Sequence, residues 1–216
     1  MQFAVPRDTR SARPEFATIL QRDKNVVNIP RVLDPSLKTG LQAFAQRLDF
    51  RTKSQLDTYK PDLSSLLRFV PKGPERSFLE SDIRYLAQQA GALLKRKHVQ
   101  SELFIQRSDG CSKIHADNVT LRLICTYAGP GTEWLTEQDL VRQHLGPSEL
   151  DPEMANRRVI REGGRLRRSS AGDILILKGA AHPGNEDRGA AHRSPPLRSS
   201  GIARLVLKID EHPCGC

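Results

Sequence analysis

The feature that most limits the fold of this chain is the stretch Cys111–Leu135, CSKIHADNVTLRLICTYAGPGTEWL. Its β-branched and aliphatic run, Val119 to Tyr127, has strand composition, and the turn residues Gly129-Pro130-Gly131 end it. LFIQRS at 103–108 reads the same way before it, and Asp173–Lys178 (DILILK) and Arg204–Ile209 (RLVLKI) after it. Val159-Ile160 is a further short strand candidate, and TEQDLVRQHL a short helix within the polar stretch 136–157. Short strands with turn punctuation therefore fill the second half.

The first half has a helical texture. Leu37, Leu41, Phe44, Ala45 and Leu48 recur at helical spacing and predict a helix over 36–49. Ser77 and Glu80 fit a capping box ahead of Ile83, Leu86, Ala87, Ala90, Leu93 and Leu94, which predicts a helix over 78–96. Leu63, Leu66, Leu67 and Val70 suggest a short helix after Pro61. Asn25–Leu33 has strand composition, and Pro30 within it argues for a sheet edge. Residues 1–24 read as an extended or poorly ordered arm.

Helices followed by strands without βαβ alternation give the expected class: α+β, with N-terminal helices packed on an antiparallel β-barrel or jelly roll. Residues 1–100 read as arm, edge strand and helices of the same globule, 101–210 as the β-domain, and 211–216 as a tail.

Composition narrows the function classes. No apolar run approaches the ~18 residues of a membrane span. The N-terminus lacks the apolar region of a secretory signal, and Asp8 and Glu15 interrupt the presequence-like Arg7, Arg10 and Arg13, so the cytosol is the expected compartment. There the four cysteines are thiols or metal ligands rather than bridges. The net charge of +9 admits nucleic acid or another anionic partner. However, Arg157, Arg158, Arg161, Arg165, Arg167 and Arg168 crowd one stretch with no interleaved aromatic residue, so the stacking platform for single strands is missing and a solvated loop is favoured.

The residues that carry chemistry flank the strands. His115-Ala116-Asp117 precedes the Val119–Tyr127 run, and His192 stands 77 residues later between the strands 173–178 and 204–209. Two histidines and a carboxylate at strand entrances can hold a metal and leave coordination positions open. Arg204 follows His192 by 12 residues; it is either answered by an anion or exposed at a strand end. Cys111 is an extra ligand, a redox thiol or a small buried side chain. Cys214 and Cys216 with His212 form a soft-metal set or a frayed tail. Asp173 is a partner behind the ligands or a turn residue, and Trp134 roofs the site or fills the core.

This arrangement resembles the double-stranded β-helix oxygenases that use Fe(II) and 2-oxoglutarate. Their motif is His-X-Asp, a long gap, His, then a basic residue. The resemblance implies His115, Asp117 and His192 as metal ligands and Arg204 as the residue for the distal carboxylate of 2-oxoglutarate, with Arg198 competing for that role. Arg122 and Tyr127 look like the prolyl-hydroxylase branch, and a hydroxyl from Tyr127 or Ser194 is expected to help bind the co-substrate. Over the whole chain, CSKIHADNVTLRLICTYAGPGTEW, GDILILKG, HRSPP and RLVLKID resemble a bacterial family catalogued only as domain of unknown function 1826, which brings no activity with it. The expected function is a metal-dependent oxygenase of unassigned substrate. A zinc-loaded or non-catalytic metal-binding β-barrel is the alternative, and a basic nucleic-acid module a less favoured third reading.

Overall fold

A computed structural model describes residues 11–198 and 200–211. The chain begins with a short helix α1 (Pro14–Ala17) and a 3-10 turn, Thr18–Leu20. Phe16 and Ile19 on these turns are fully buried, so the described end of the arm is docked rather than extended. The elements that follow are β1 (Val26–Ile29), α2 (Pro35–Arg47), β2 (Arg51–Asp57), α3 (Pro74–Leu94), β3 (His98–Gln106), β4 (Leu121–Ala128), β5 (Glu133–Trp134), α4 (Pro152–Val159), β6 (Arg167–Arg168), β7 (Ile174–Lys178), β8 (His192–Arg193) and β9 (Arg204–Glu211).

Local chemistry accounts for most helix ends. The Asp34 carboxylate accepts from the Ser36 and Leu37 amides and caps α2, with Pro35 in its first turn. Helix α3 starts earlier than its apolar stripe, at Pro74. The expected capping box does not form: the Ser77 hydroxyl donates to the Gly73 carbonyl and Glu80 pairs with Arg76. Residues 63–70 form turns, not a helix, with Leu63, Leu66, Leu67 and Val70 buried. Arg76 Nη1 donates to the carbonyls of Leu67 and Val70, so a side chain takes acceptors that a continuing helix would use. Stretch 136–145 forms two 3-10 turns, and Val159 ends α4 instead of starting a strand, although Ile160 makes a bridge with Leu140.

Every strand pairing is antiparallel. A six-stranded sheet runs β1-β7-β4-β9-β3-β2, and a three-stranded sheet runs β6-β5-β8. The large sheet keeps β1 and β2 as edges, so among the described residues the expected closed barrel is an open sheet with a small sheet across part of one face. Pro30 lies just past the edge strand β1.

The alternation of β4 explains the layering. Leu121, Leu123, Cys125 and Tyr127 join the core shared with Leu41, Ala45, Leu79, Ile83 and Leu86 of α2 and α3. Ile124 faces the other way and packs with Leu175, Leu177, Val206, Phe104 and Trp134 between the two sheets. Beyond the small sheet, Leu135 and Ala191 pack with Val159 of α4.

A buried ionic cluster ties the helical layer to the sheet. Arg31 grips the Asp82 carboxylate of α3 at 2.5 and 3.0 Å, and the Tyr127 hydroxyl donates to the same carboxylate at 2.8 Å. Arg31 also donates to the Gly172 carbonyl, and its Nη2 lies 3.3 Å from Cys125 Sγ. Removing one member leaves an uncompensated charge in the interior. Asp82→Ala is therefore expected to cost about 3–5 kcal/mol in urea denaturation. A loss below about 1 kcal/mol, the range of a surface pair, would contradict this account.

Candidate metal centre

His115 and His192 meet through backbone pairing. The His115 amide donates to the His192 carbonyl at 3.0 Å and the His192 amide donates back at 2.9 Å. Residues paired in this way present their side chains on the same face. The two imidazoles lie with ring centroids 4.6 Å apart. Asp117 completes the group, with Oδ1 3.5 Å from His115 Nε2 and Oδ2 3.0 Å from His192 Nε2. One ligand atom from each residue falls within 4.8 Å of the others.

Tautomers follow from the acceptors. His115 Nδ1 lies 2.9 Å from the Lys113 carbonyl and His192 Nδ1 lies 3.0 Å from the Ala190 carbonyl. A carbonyl can only accept, so each Nδ1 carries a proton and each Nε2 turns toward Asp117. The hydrogen bond to Asp117 raises the His115 pKa from its ordinary value, against the opposing effect of burial. For Asp117, burial alone would raise the pKa. The hydrogen bonds from both histidines and the charge of Arg122 outweigh it and hold the carboxyl far below the usual carboxylate range.

Three supports position the ligands. Arg122 of β4 bonds Asp117 Oδ2 and grips Asp210 of β9 at 2.6 and 2.8 Å. Asn156 of α4 accepts from the Ile114 amide at 2.6 Å and donates to the Ser112 carbonyl at 2.8 Å, so it holds the segment entering His115 at two points. Gly179 lets the turn after Asp117 approach closely: a Cβ there would lie 2.0 Å from the Val119 carbonyl oxygen and 2.7 Å from that of Asp117. No local pattern marks Asn156 in the sequence, because its partners are backbone groups about 40 residues away.

Arg204 is 1% exposed. It donates to Gln106 Oε1 at 2.7 Å and to the hydroxyl oxygens of Thr126 and Thr132 at 3.3 and 3.2 Å. These neighbours are neutral, and the Nε–H is buried without a partner among the described residues. Burial pushes the guanidinium down to about 10, so it stays charged at neutral pH. Of the two readings of Arg204, exposure at a strand end is therefore ruled out.

Other candidates fall elsewhere. The Arg198 side chain is 86% exposed and lies 3.8 Å from Asp109, so it does not share the interior with Arg204. Tyr127 points into the helical core and its hydroxyl is taken by Asp82. The hydroxyls that meet Arg204 belong to Thr126 and Thr132 rather than Tyr127 or Ser194. Cys111 is exposed, against the expectation of a small buried side chain, and Cys125 is buried. Asp173 acts as a turn residue, accepting from Asn28, the Arg31 amide and the Ser170 amide. Arg167 pairs with Asp139, and Arg168 with Glu133. His212, Cys214 and Cys216 lie outside the described residues, as do Arg7, Asp8 and Arg10. No described helix is long and apolar enough to cross a membrane.

Groups that orient metal ligands typically influence metal affinity 10–100-fold. Asn156→Ala should therefore weaken Zn(II) binding by at least about tenfold in calorimetric titration, while the protein stays folded by circular dichroism. Unchanged affinity would show that the His115 segment holds itself.

No match is found among the curated proteins. Among solved structures, the chain is similar to a rice dioxygenase for auxin oxidation, with 13% identity and a TM-score of 0.47 over 94% of this chain and 81% of that one. It is similar to the Fe(II)/α-ketoglutarate-dependent dioxygenase TqaL, with 12% identity and a TM-score of 0.46 over 92% and 89%. A prolyl-4-hydroxylase from Pseudomonas putida gives 11% identity and a TM-score of 0.45 over 92% and 100%. The family model described as "Protein of unknown function (DUF1826)" matches residues 11–210, a span that contains both histidine segments and the Arg204 strand, and the chain belongs to that family.

Proposed function

We propose that this protein is an Fe(II)- and 2-oxoglutarate-dependent oxygenase, built on a double-stranded β-helix, that acts on a substrate still to be identified. The observation that carries the reading is the convergence of His115, Asp117 and His192 on the side of the large sheet that also holds a buried arginine with no carboxylate bonded to it among the described residues. Zinc would accept the same three donors, but a zinc centre alone gives no role to that arginine.

The residues fit the metal. Donors about 2.1 Å from a common ion stand roughly 3–4 Å apart. The His192–Asp117 and His115–Asp117 separations of 3.0 and 3.5 Å, each to its own carboxylate oxygen, lie in that range, and one donor atom from each of the three residues falls within 4.8 Å of the others. Both Nε2 atoms would ligate, with each ring fixed from behind by its Nδ1–H on a carbonyl. Bound there, Fe(II) with 2-oxoglutarate supplies oxidative chemistry with O2 that no side chain can provide. Arg122 and Asp210 hold the Asp117 carboxylate in place. Arg204 would meet the distal carboxylate in a two-pronged pair, its head oriented by Gln106, Thr126 and Thr132. Ile124, Leu175, Leu177 and Val206 form a buried apolar cluster on the same face of the sheet.

Iron-loaded protein is expected to convert 2-oxoglutarate to succinate. His115→Ala and Asp117→Ala should abolish this. Arg204→Lys should raise the 2-oxoglutarate requirement at least about tenfold, the loss of one charge-assisted bond, while metal binding persists. Pure iron-loaded protein that neither binds nor turns over 2-oxoglutarate would remove the basis for the assignment.

Acidity gives a separate check. Without metal, the raised His115 pKa contributes stability that is full below the unfolded value of about 6.5 and fades as pH rises through the folded value. Asp117 contributes in the opposite sense, and its share is lost only as pH falls well into the acid range. Metal requires a bare Nε2, so binding expels the His115 proton. Zn(II) affinity should climb as pH rises from the unfolded value through the raised folded pKa of His115, and level off above that interval. A flat profile across that interval would mean that His115 is not a ligand.

A further inference from the structure

The proposed oxygenase site contains a second donor without an acceptor. The indole Nε1–H of Trp134 is buried and has no hydrogen-bond partner among the described residues. Buried donors are rarely left this way, and tryptophan is placed in interiors where its N–H can reach a partner. The Arg167 guanidinium carbon lies 5.4 Å from the ring centroid, but a phenyl ring could take that contact and fill the gap without bringing a donor.

Position suggests what the donor is for. Trp134 pairs directly with His192 on one side and with Arg167 on the other, so its ring shares the inward face with a proposed metal ligand. It packs against the apolar cluster of Ile124, Leu175, Leu177 and Val206. Thr132 stands two residues before Trp134 and accepts from Arg204 Nη2. Arg204, Thr132, Trp134 and His192 thus follow one another across the inner surface. Two residues of strand advance about 6.8 Å, and an extended five-carbon diacid spans about 5 Å between its end carbons. A ligand reaching from Arg204 toward His192 therefore passes the indole. Arg204 Nε–H and Trp134 Nε1–H are both buried without a partner among the described residues.

We infer that Trp134 is a binding residue for the dicarboxylate, with its indole N–H donating to a carboxylate oxygen of 2-oxoglutarate. This rests on the oxygenase reading and adds a contact that His-X-Asp, His and Arg do not include.

The chain has a single tryptophan, so one indole resonance and one emission band report on the contact. The test uses the full chain loaded with Zn(II), which does not react with O2, and 2-oxoglutarate as titrant. Calorimetry should show binding. The indole 1H–15N signal should move downfield and exchange more slowly with solvent as 2-oxoglutarate saturates. Trp134→Phe should fold and bind Zn(II) as the parent does, but bind 2-oxoglutarate at least about tenfold more weakly, the scale of one lost hydrogen bond to a charged acceptor. If Trp134→Phe does not fold, the indole signal of the unaltered protein decides. If 2-oxoglutarate binds but neither the indole signal nor the affinity of Trp134→Phe responds, the tryptophan contact is overturned and the oxygenase reading survives. Failure of 2-oxoglutarate to bind the unaltered zinc-loaded and iron-loaded protein overturns both.

Discussion

Two backbone hydrogen bonds between residues 77 positions apart hold the candidate centre together. The reciprocal pairing of His115 with His192 joins the entrance of β4 to the small sheet and puts both imidazoles on one face. Each ring is then held from behind by a carbonyl two residues upstream, so few torsions remain free. Asp117, two residues from His115, reaches the same point because Gly179 lets the following turn lie flat against the end of β7. A site assembled mostly from backbone constraints loses little entropy when an ion arrives, which is the meaning of preorganisation in a metal centre.

The large sheet keeps two kinds of chemistry apart. Its outer face meets α2 and α3 through aliphatic side chains and one saturated ionic cluster, Arg31–Asp82–Tyr127, in which each charged group has a partner. Its inner face carries Arg122 with Asp210 and Asp117, and Arg204 bonded to neutral acceptors with the charges of Glu133 and Arg168 nearby. The contrast between the two buried arginines is informative. Arg31 is neutralised within the chain and serves stability. Arg204 keeps its charge and has only amide and hydroxyl acceptors, an arrangement that is costly unless an anion visits.

Much of the architecture is legible in the residues because it depends on short-range pattern. Helices α2 and α3, strands β4, β7 and β9, and the antiparallel character of the sheets follow from apolar spacing and the lack of βαβ alternation. Strand β2 is hard to read because its outward positions are polar and only Thr52 and Leu56 are fully buried. The two-residue strands of the small sheet carry no periodicity at all. Stretch 63–70 shows the opposite failure: helix-like leucine spacing arises from a folded turn whose carbonyls are bonded by a side chain of α3.

The sequence by itself determined which residue types were available and where strands would present them: a His-X-Asp before one aliphatic run, a histidine between two others, an arginine at the head of the last. Those are local facts, set by periodicity and turn chemistry. Only the tertiary structure decided that Arg204 is buried while Arg198 is in solvent, that Tyr127 serves the helical core, that Asn156 holds the segment entering His115, and that Trp134 pairs with His192. These outcomes depend on strand register and on which face each residue takes once the sheets stack. A shift of one residue reverses the face, and contacts between distant segments set that register.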